Sequence, residues 1–241
     1  VTIRCAGMSV LSVTARGQLP DAGDWVPDDT SAWEDVLTRC VTGVGELEWS
    51  DRVRCPTGVG LSDGAPMTLD ISSSNPHSVV CGRTGTGKSE FLAAMLCDWA
   101  ERFTPAELSW VGLDFKGGAT LAPLATLASC RGVVTDLEPG IIDRVMFGIG
   151  AELIERERAL RLEGVSRIED STELGRLVVV VDEFPELIRQ FPHASEVLSN
   201  IARRGRSLGV HLVLTTQHPN AVHRDALIAN QVDLIVHSMK D

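Results

Sequence analysis

The residues Gly82-Arg83-Thr84-Gly85-Thr86-Gly87-Lys88-Ser89 follow the spacing G-x-x-x-x-G-K-[ST]. That run suits the phosphates of a nucleotide. Glycines let the backbone wrap tightly, successive N–H groups face the anion, and a following helix presents the positive end of its dipole. Lys88 would reach the β- and γ-phosphates and Ser89 would hold Mg²⁺. The bland alternative, an incidental glycine-rich turn, is disfavoured because an apolar strand precedes the run and a helical segment follows it.

About a hundred residues later Val178-Val179-Val180-Val181 leads directly into Asp182-Glu183. A buried strand ending in an acid places that acid at the carboxyl edge of a sheet, where the phosphate loop also lies. Asp182 would support the metal through water, and Glu183 would orient or deprotonate an attacking water. Both are otherwise a solvated strand end. Gln217, after a third strand end at Thr215-Thr216, could sense a γ-phosphate or hold the water, or simply belong to a polar turn. Arg203, Arg204 and Arg206 suit a phosphate on a neighbouring subunit, with Arg206 the candidate finger; they equally suit a basic helix terminus.

These groups need a sheet to carry them. Apolar runs at Ser78 to Cys81, Ser109 to Leu113, Leu177 to Val181, His211 to Thr215 and Asp233 to Val236 read as five buried parallel strands. Helices are expected over 88–103, 141–163 and 194–208. In the second, Ile141, Val145, Ile149 and Leu153 recur every four residues, and Glu152–Arg156 and Glu157–Arg161 are spaced to pair on the surface. Strands alternating with helices predict an α/β fold with helices on both faces of the sheet. Residues 1–70 carry 11 acidic and 5 basic groups and read as a separate acidic element with a helix over 31–40 and β-like pieces at Val10 to Val13 and Met67 to Ile71. The α/β domain is expected over 71–241.

The whole chain of 241 residues has a net charge of −11, a poor general magnet for nucleic acid, although a local basic loop remains compatible with it. Hydrophobic residues at 44% and charged residues at 23% exclude disordered and fibrous classes. No apolar run is long enough to cross a membrane, and no basic-then-apolar leader opens the sequence. The six cysteines have no metal-type spacing, and Cys81 and Cys97 sit among apolar residues, as expected of buried thiols in a reducing cytosol. Asp114-Phe115-Lys116-Gly117 could mark a guanine-nucleotide switch. That reading fails because Asn230-Gln231-Val232-Asp233 has Gln for the required Lys and precedes its strand.

In order along residues 76–241, several segments resemble the FtsK/SpoIIIE superfamily of ring ATPases. They are Pro76-His77, the loop through Lys88-Ser89-Glu90, Asp114-Phe115-Lys116-Gly117-Gly118-Ala119, Gly132-Val133-Val134-Thr135-Asp136, Val181-Asp182-Glu183-Phe184, Arg204 to Leu212, and Thr216-Gln217. The resemblance implies a RecA-like fold, ATP and Mg²⁺ as cofactors, nucleotide contacts over Gly82 to Glu90, and a hexameric or head-to-tail assembly that moves a polymer. The D-F-K-G-G-A segment looks more like EccC-type motors of type VII secretion than DNA pumps, which tend to carry D-P-K. That implies a secreted protein as cargo, with DNA the alternative. A third reading is a module that binds ATP with little hydrolysis. Such motors contain tandem modules and a membrane anchor elsewhere, so a cytoplasmic location is implied. Arg83 stands where a small residue is usual, His218 where Arg is usual, and the family's terminal segment is not in this chain.

Overall fold

The computed structural model describes side chains at residue 71 and over 76–85, 88–137 and 140–217. It describes backbone alone at 3–5, 8–10, 55–59, 66–69, 139 and 232–237. The helix expected over 31–40, and Thr86, Gly87 and His218, lie outside these residues. Of the expected acidic element two antiparallel pairs are described, β1 (Ile3–Cys5) with β2 (Met8–Val10), and β3 (Cys55–Val59) with β4 (Pro66–Leu69).

The main sheet is built from β5 (His77–Gly82), β6 (Leu108–Asp114), β7 (Cys130–Thr135), β8 (Arg176–Asp182), β9 (Val210–Thr216) and β10 (Val232–His237). Its order is β10-β5-β9-β8-β6-β7, and every pairing is parallel. The five expected strands are all present, and β7 adds a sixth at the edge. The helices are α1 (Lys88–Arg102), α2 (Pro139–Glu163), α3 (Phe184–Gln190) and α4 (Ala194–Leu208). The α1, α2 and α4 bounds agree with expectation to within two residues; α3 was not expected.

Both faces of the sheet are covered, and the pleat decides which side chain goes where. Along β8, Val178 and Val180 pack with Phe91, Met95, Leu96 and Trp99 of α1. The alternating Val179 and Val181 pack with Ile142, Met146, Leu187 and Leu198 of the other helices. Each of the four valines is 0% exposed, so each contributes about 1.5–3 kcal/mol of burial. In β8 the stretch buried on both faces is wholly apolar, and the acid Asp182 comes at its last residue.

Two expectations about particular side chains are corrected. Arg156 is not a surface partner of Glu152: it is buried, bonds Glu152 Oε1 at 2.9 Å, and donates to the carbonyls of Gly175 at 2.8 Å and Leu208 at 3.0 Å. Its guanidinium satisfies loop and helix-end carbonyls that would otherwise be orphaned beneath the sheet. Cys97 is exposed, because it falls on the outer side of α1, whereas Cys81 is buried. Burial pushes the Cys81 thiol up to about 12, so it is not a nucleophile.

Candidate functional site: a nucleotide site at the carboxyl edge of the sheet

The strand order is what assembles the site. β9 lies between β5, which feeds the phosphate loop, and β8, which ends in the acids. The carboxyl end of β9 therefore inserts Thr215, Thr216 and Gln217 between the loop and the acidic pair.

On the loop, Gly85 has φ of +79°, a left-handed conformation that glycine adopts without penalty, and Arg83 and Thr84 are exposed beside it. Lys88 opens α1 and is 3% exposed. Its ammonium donates to the carbonyl oxygens of Gly82 and Arg83, the latter at 3.0 Å, which aims it back over the loop. Burial holds its pKa below the ordinary lysine value; the charges of Glu183 and Asp182 act in the opposite direction. Lys88 thus senses both acids electrostatically. Ser89 Oγ is engaged by the Thr120 hydroxyl at 3.2 Å. Glu90, in the first turn of α1, is exposed.

Thr215 ties the two acids together. Its hydroxyl donates to Asp182 Oδ1 at 2.5 Å and accepts the Glu183 N–H at 2.8 Å. Asp182 is 0% exposed, and its Oδ2 has no hydrogen-bond partner among the described residues. A buried carboxylate oxygen left unpaired is costly, and a hydrated divalent cation would satisfy it. The donor set of Ser89 hydroxyl and Asp182 carboxylate is the hard-oxygen kind Mg²⁺ takes. The residues fit the ion.

Glu183 has φ of +64° and ψ of +63°, at the start of α3, and is the sole non-glycine residue with positive φ among those described. Such a conformation costs about 1–3 kcal/mol and concentrates where a side chain must be aimed. Gln217 completes the constellation: its Nε2 donates to Glu183 Oε2 at 2.9 Å, and its Oε1 accepts the Thr84 hydroxyl at 3.0 Å. Phosphate loop, strand-end amide and acid form one hydrogen-bonded chain.

The arginines are elsewhere. Arg204 pairs with Glu157 of α2 and Arg203 bonds Asn200. Arg206 is exposed with no ion pair or hydrogen bond among the described residues. It sits at the end of α4 that enters β9 at its amino end, the opposite edge of the sheet from Lys88. Within one chain it does not reach the phosphate loop.

Sequence reasoning assigned no role to Thr215 or Thr120. The signal for Thr215 was present: two hydroxyl residues end an otherwise apolar buried strand. For Thr120 the contact depends on a loop path that no local pattern specifies.

A model of the FtsK/SpoIIIE family matches residues 45–176. The ESX secretion system protein EccC of Thermomonospora curvata is 36% identical over 185 residues, covering 69% of this chain and 14% of the relative. The ESX-4 secretion system protein EccC4 of Mycobacterium tuberculosis is 36% identical over 69% of this chain and 15% of its own length. The solved cytoplasmic domain of the T. curvata type VII secretion ATPase EccC superposes with a TM-score of 0.69 at 32% identity, covering 77% of this chain and 24% of that one. This chain therefore spans about one seventh of those curated relatives. With its phosphate loop, its strand order and these matches taken together, the chain belongs to the FtsK/SpoIIIE family of P-loop ATPases and is closely related to the EccC proteins of type VII secretion.

Proposed function

We propose that the chain is an Mg²⁺-dependent, ATP-hydrolysing motor module that drives protein export of the type VII kind. The single observation that carries it is the chain Thr84–Gln217–Glu183, which couples the phosphate loop to an acid beside a buried, half-partnered Asp182. Gly82 to Ser89 hold the phosphates. Lys88 meets the β- and γ-oxygens, and Ser89 and Asp182 hold the metal. When bound, Mg²⁺ neutralises charge that builds on the transferred phosphoryl group. Glu183 orients and deprotonates the attacking water, with its carboxylate steadied by Gln217.

Arg206 acts in trans, on the nucleotide of a neighbouring copy or tandem module, since its own chain keeps it at the far edge. That geometry calls for a ring or head-to-tail array. The cargo is a secreted protein, in keeping with the EccC likeness and with the acidic surface. The module works at the cytoplasmic face of the membrane, tethered through other parts of a longer protein; no helix among the described residues is long and apolar enough to cross a membrane.

Phosphate release measured against protein concentration, with and without a small helical secreted protein or duplex DNA, tests this. Activity should rise more steeply than protein concentration and respond to the protein. Stimulation by duplex DNA alone would replace export with DNA movement, and negligible release at every concentration would leave a nucleotide-binding module only.

A further inference from the structure

The segment between β6 and β7 folds back onto the start of α1, beside the nucleotide site. Asp114 ends β6, is 0% exposed, and stands in register opposite Asp182 of β8. Its carboxylate binds backbone: Oδ1 accepts the Lys116 N–H at 3.0 Å, while Oδ2 accepts the Thr120 N–H at 3.0 Å and the Leu121 N–H at 2.8 Å. The reversal between them is made by Gly117 and Gly118, both left-handed at φ of +75° and +74°. A Cβ on Gly118 would also press the Thr135 side chain at 3.0 Å. The chain thus turns tightly round one buried carboxylate, which fixes the backbone of Thr120.

This turn touches both residues whose oxygens suit the metal. At its start the Phe115 N–H donates to the Asp182 carbonyl at 3.1 Å. At its end Thr120, 8% exposed, donates its hydroxyl to Ser89 Oγ at 3.2 Å. A serine side chain has three staggered rotamers and a freely turning hydroxyl, and a partner on a fixed backbone selects among them. Thr120 is such a partner: its branched side chain is stiff, and its own N–H is anchored on Asp114. Accepting one hydrogen bond leaves Ser89 Oγ a second lone pair to offer a cation.

We infer that Thr120, mounted on the Asp114-anchored turn, is a positioning residue for Ser89: it holds the serine hydroxyl in one orientation for the divalent cation. Asp182 brings its carboxylate oxygen, unpartnered among the described residues, from the neighbouring strand end. This rests on the nucleotide-site reading above and deepens it. The action of Thr120 runs through Ser89, so loss of its hydroxyl weakens the response to Mg²⁺ and spares the phosphate contacts of the loop and Lys88.

Thr120→Val keeps the branched shape and removes the hydroxyl. Equilibrium binding of ATPγS to the full chain, titrated with Mg²⁺ and repeated in EDTA, reads the effect. The Mg²⁺ midpoint should rise about threefold to tenfold, the scale of one neutral hydrogen bond, with affinity in EDTA changed less than about twofold. Thr120→Ala should behave in the same way, and Thr120→Ser should return the midpoint close to that of the unaltered chain. An unmoved Mg²⁺ midpoint, whatever happens to the denaturant midpoint of unfolding, would leave the hydroxyl a packing group and overturn the inference. Equal loss of affinity with and without Mg²⁺ would overturn it too. Ser89→Ala is the control: if it loses the Mg²⁺ response while Thr120→Val keeps it, only the Thr120 assignment falls. If Ser89→Ala responds to Mg²⁺ as the unaltered chain does, the nucleotide-site reading itself is wrong.

Discussion

The side-chain amide of Gln217 donates to the Glu183 carboxylate at 2.9 Å while its carbonyl accepts the Thr84 hydroxyl at 3.0 Å. The residue just after β9 thereby spans the gap between phosphate loop and acid that the strand order creates. Gln217→Ala should lower phosphate release by about tenfold to a hundredfold with ATP affinity almost unchanged, because it removes alignment rather than a binding charge. Single-turnover rates beside equilibrium affinities check this; an unchanged rate would leave Gln217 a turn residue.

Thr215 serves both acids with one hydroxyl. Thr215→Val keeps the shape but strands Asp182 Oδ1 and the Glu183 N–H. The expected loss is about 1–3 kcal/mol of unfolding free energy, with Thr215→Ser nearly restoring it. Denaturant titration of the three proteins decides, and equal midpoints for Val and Thr would contradict the assignment.

The left-handed backbone at Glu183 makes a stability forecast. Glu183→Gly should be more stable than Glu183→Ala by more than about 1 kcal/mol, the order that helix N-caps already prefer, widened here because only Ala carries a Cβ that opposes positive φ. Thermal unfolding of the pair is sufficient.

At the opposite edge of the sheet two histidines are buried neutral. His211 donates from Nδ1 to the Pro76 carbonyl at 2.9 Å, and His77 Nδ1 accepts the Leu212 N–H at 3.1 Å. Burial brings His77 down to about 4 and His211 down to about 3. Their unfolded values are near 6.5, so below that pH the unfolded chain takes up protons that the folded chain refuses. Stability is therefore full above about pH 6.5 and falls towards pH 4, by up to about 1.4 kcal/mol per pH unit for each histidine. Denaturant midpoints from pH 8 to 5 should bend downward near 6.5; a flat profile would show that these rings are not held neutral.

How legible this was depends on how local the cause is. The apolar run Val178 to Val181 announces a strand buried on both faces, and its acidic end follows from the sheet itself. β7 escaped because it is an edge strand: Arg131 is exposed and Gly132 and Thr135 are only half-buried, so no apolar run marks it. α3 escaped because seven residues beginning Phe184-Pro185 are too short for a helical period to show. Arg156 shows the opposite error. Its spacing from Glu152 suggested a surface pair, yet the carbonyls of Gly175 and Leu208, far along the chain, draw it inward. The backbone angle of Glu183 and the Thr120 contact with Ser89 arise only once strands and loops are assembled.

Glu183 bears the central claim. Its replacement by Gln keeps size and hydrogen-bonding reach while removing the base, so phosphate release under saturating ATP and Mg²⁺, measured beside ATP affinity, is the direct test. Release should fall by about 10²–10⁴ with affinity held within about threefold. Undiminished release by Glu183→Gln would contradict the account.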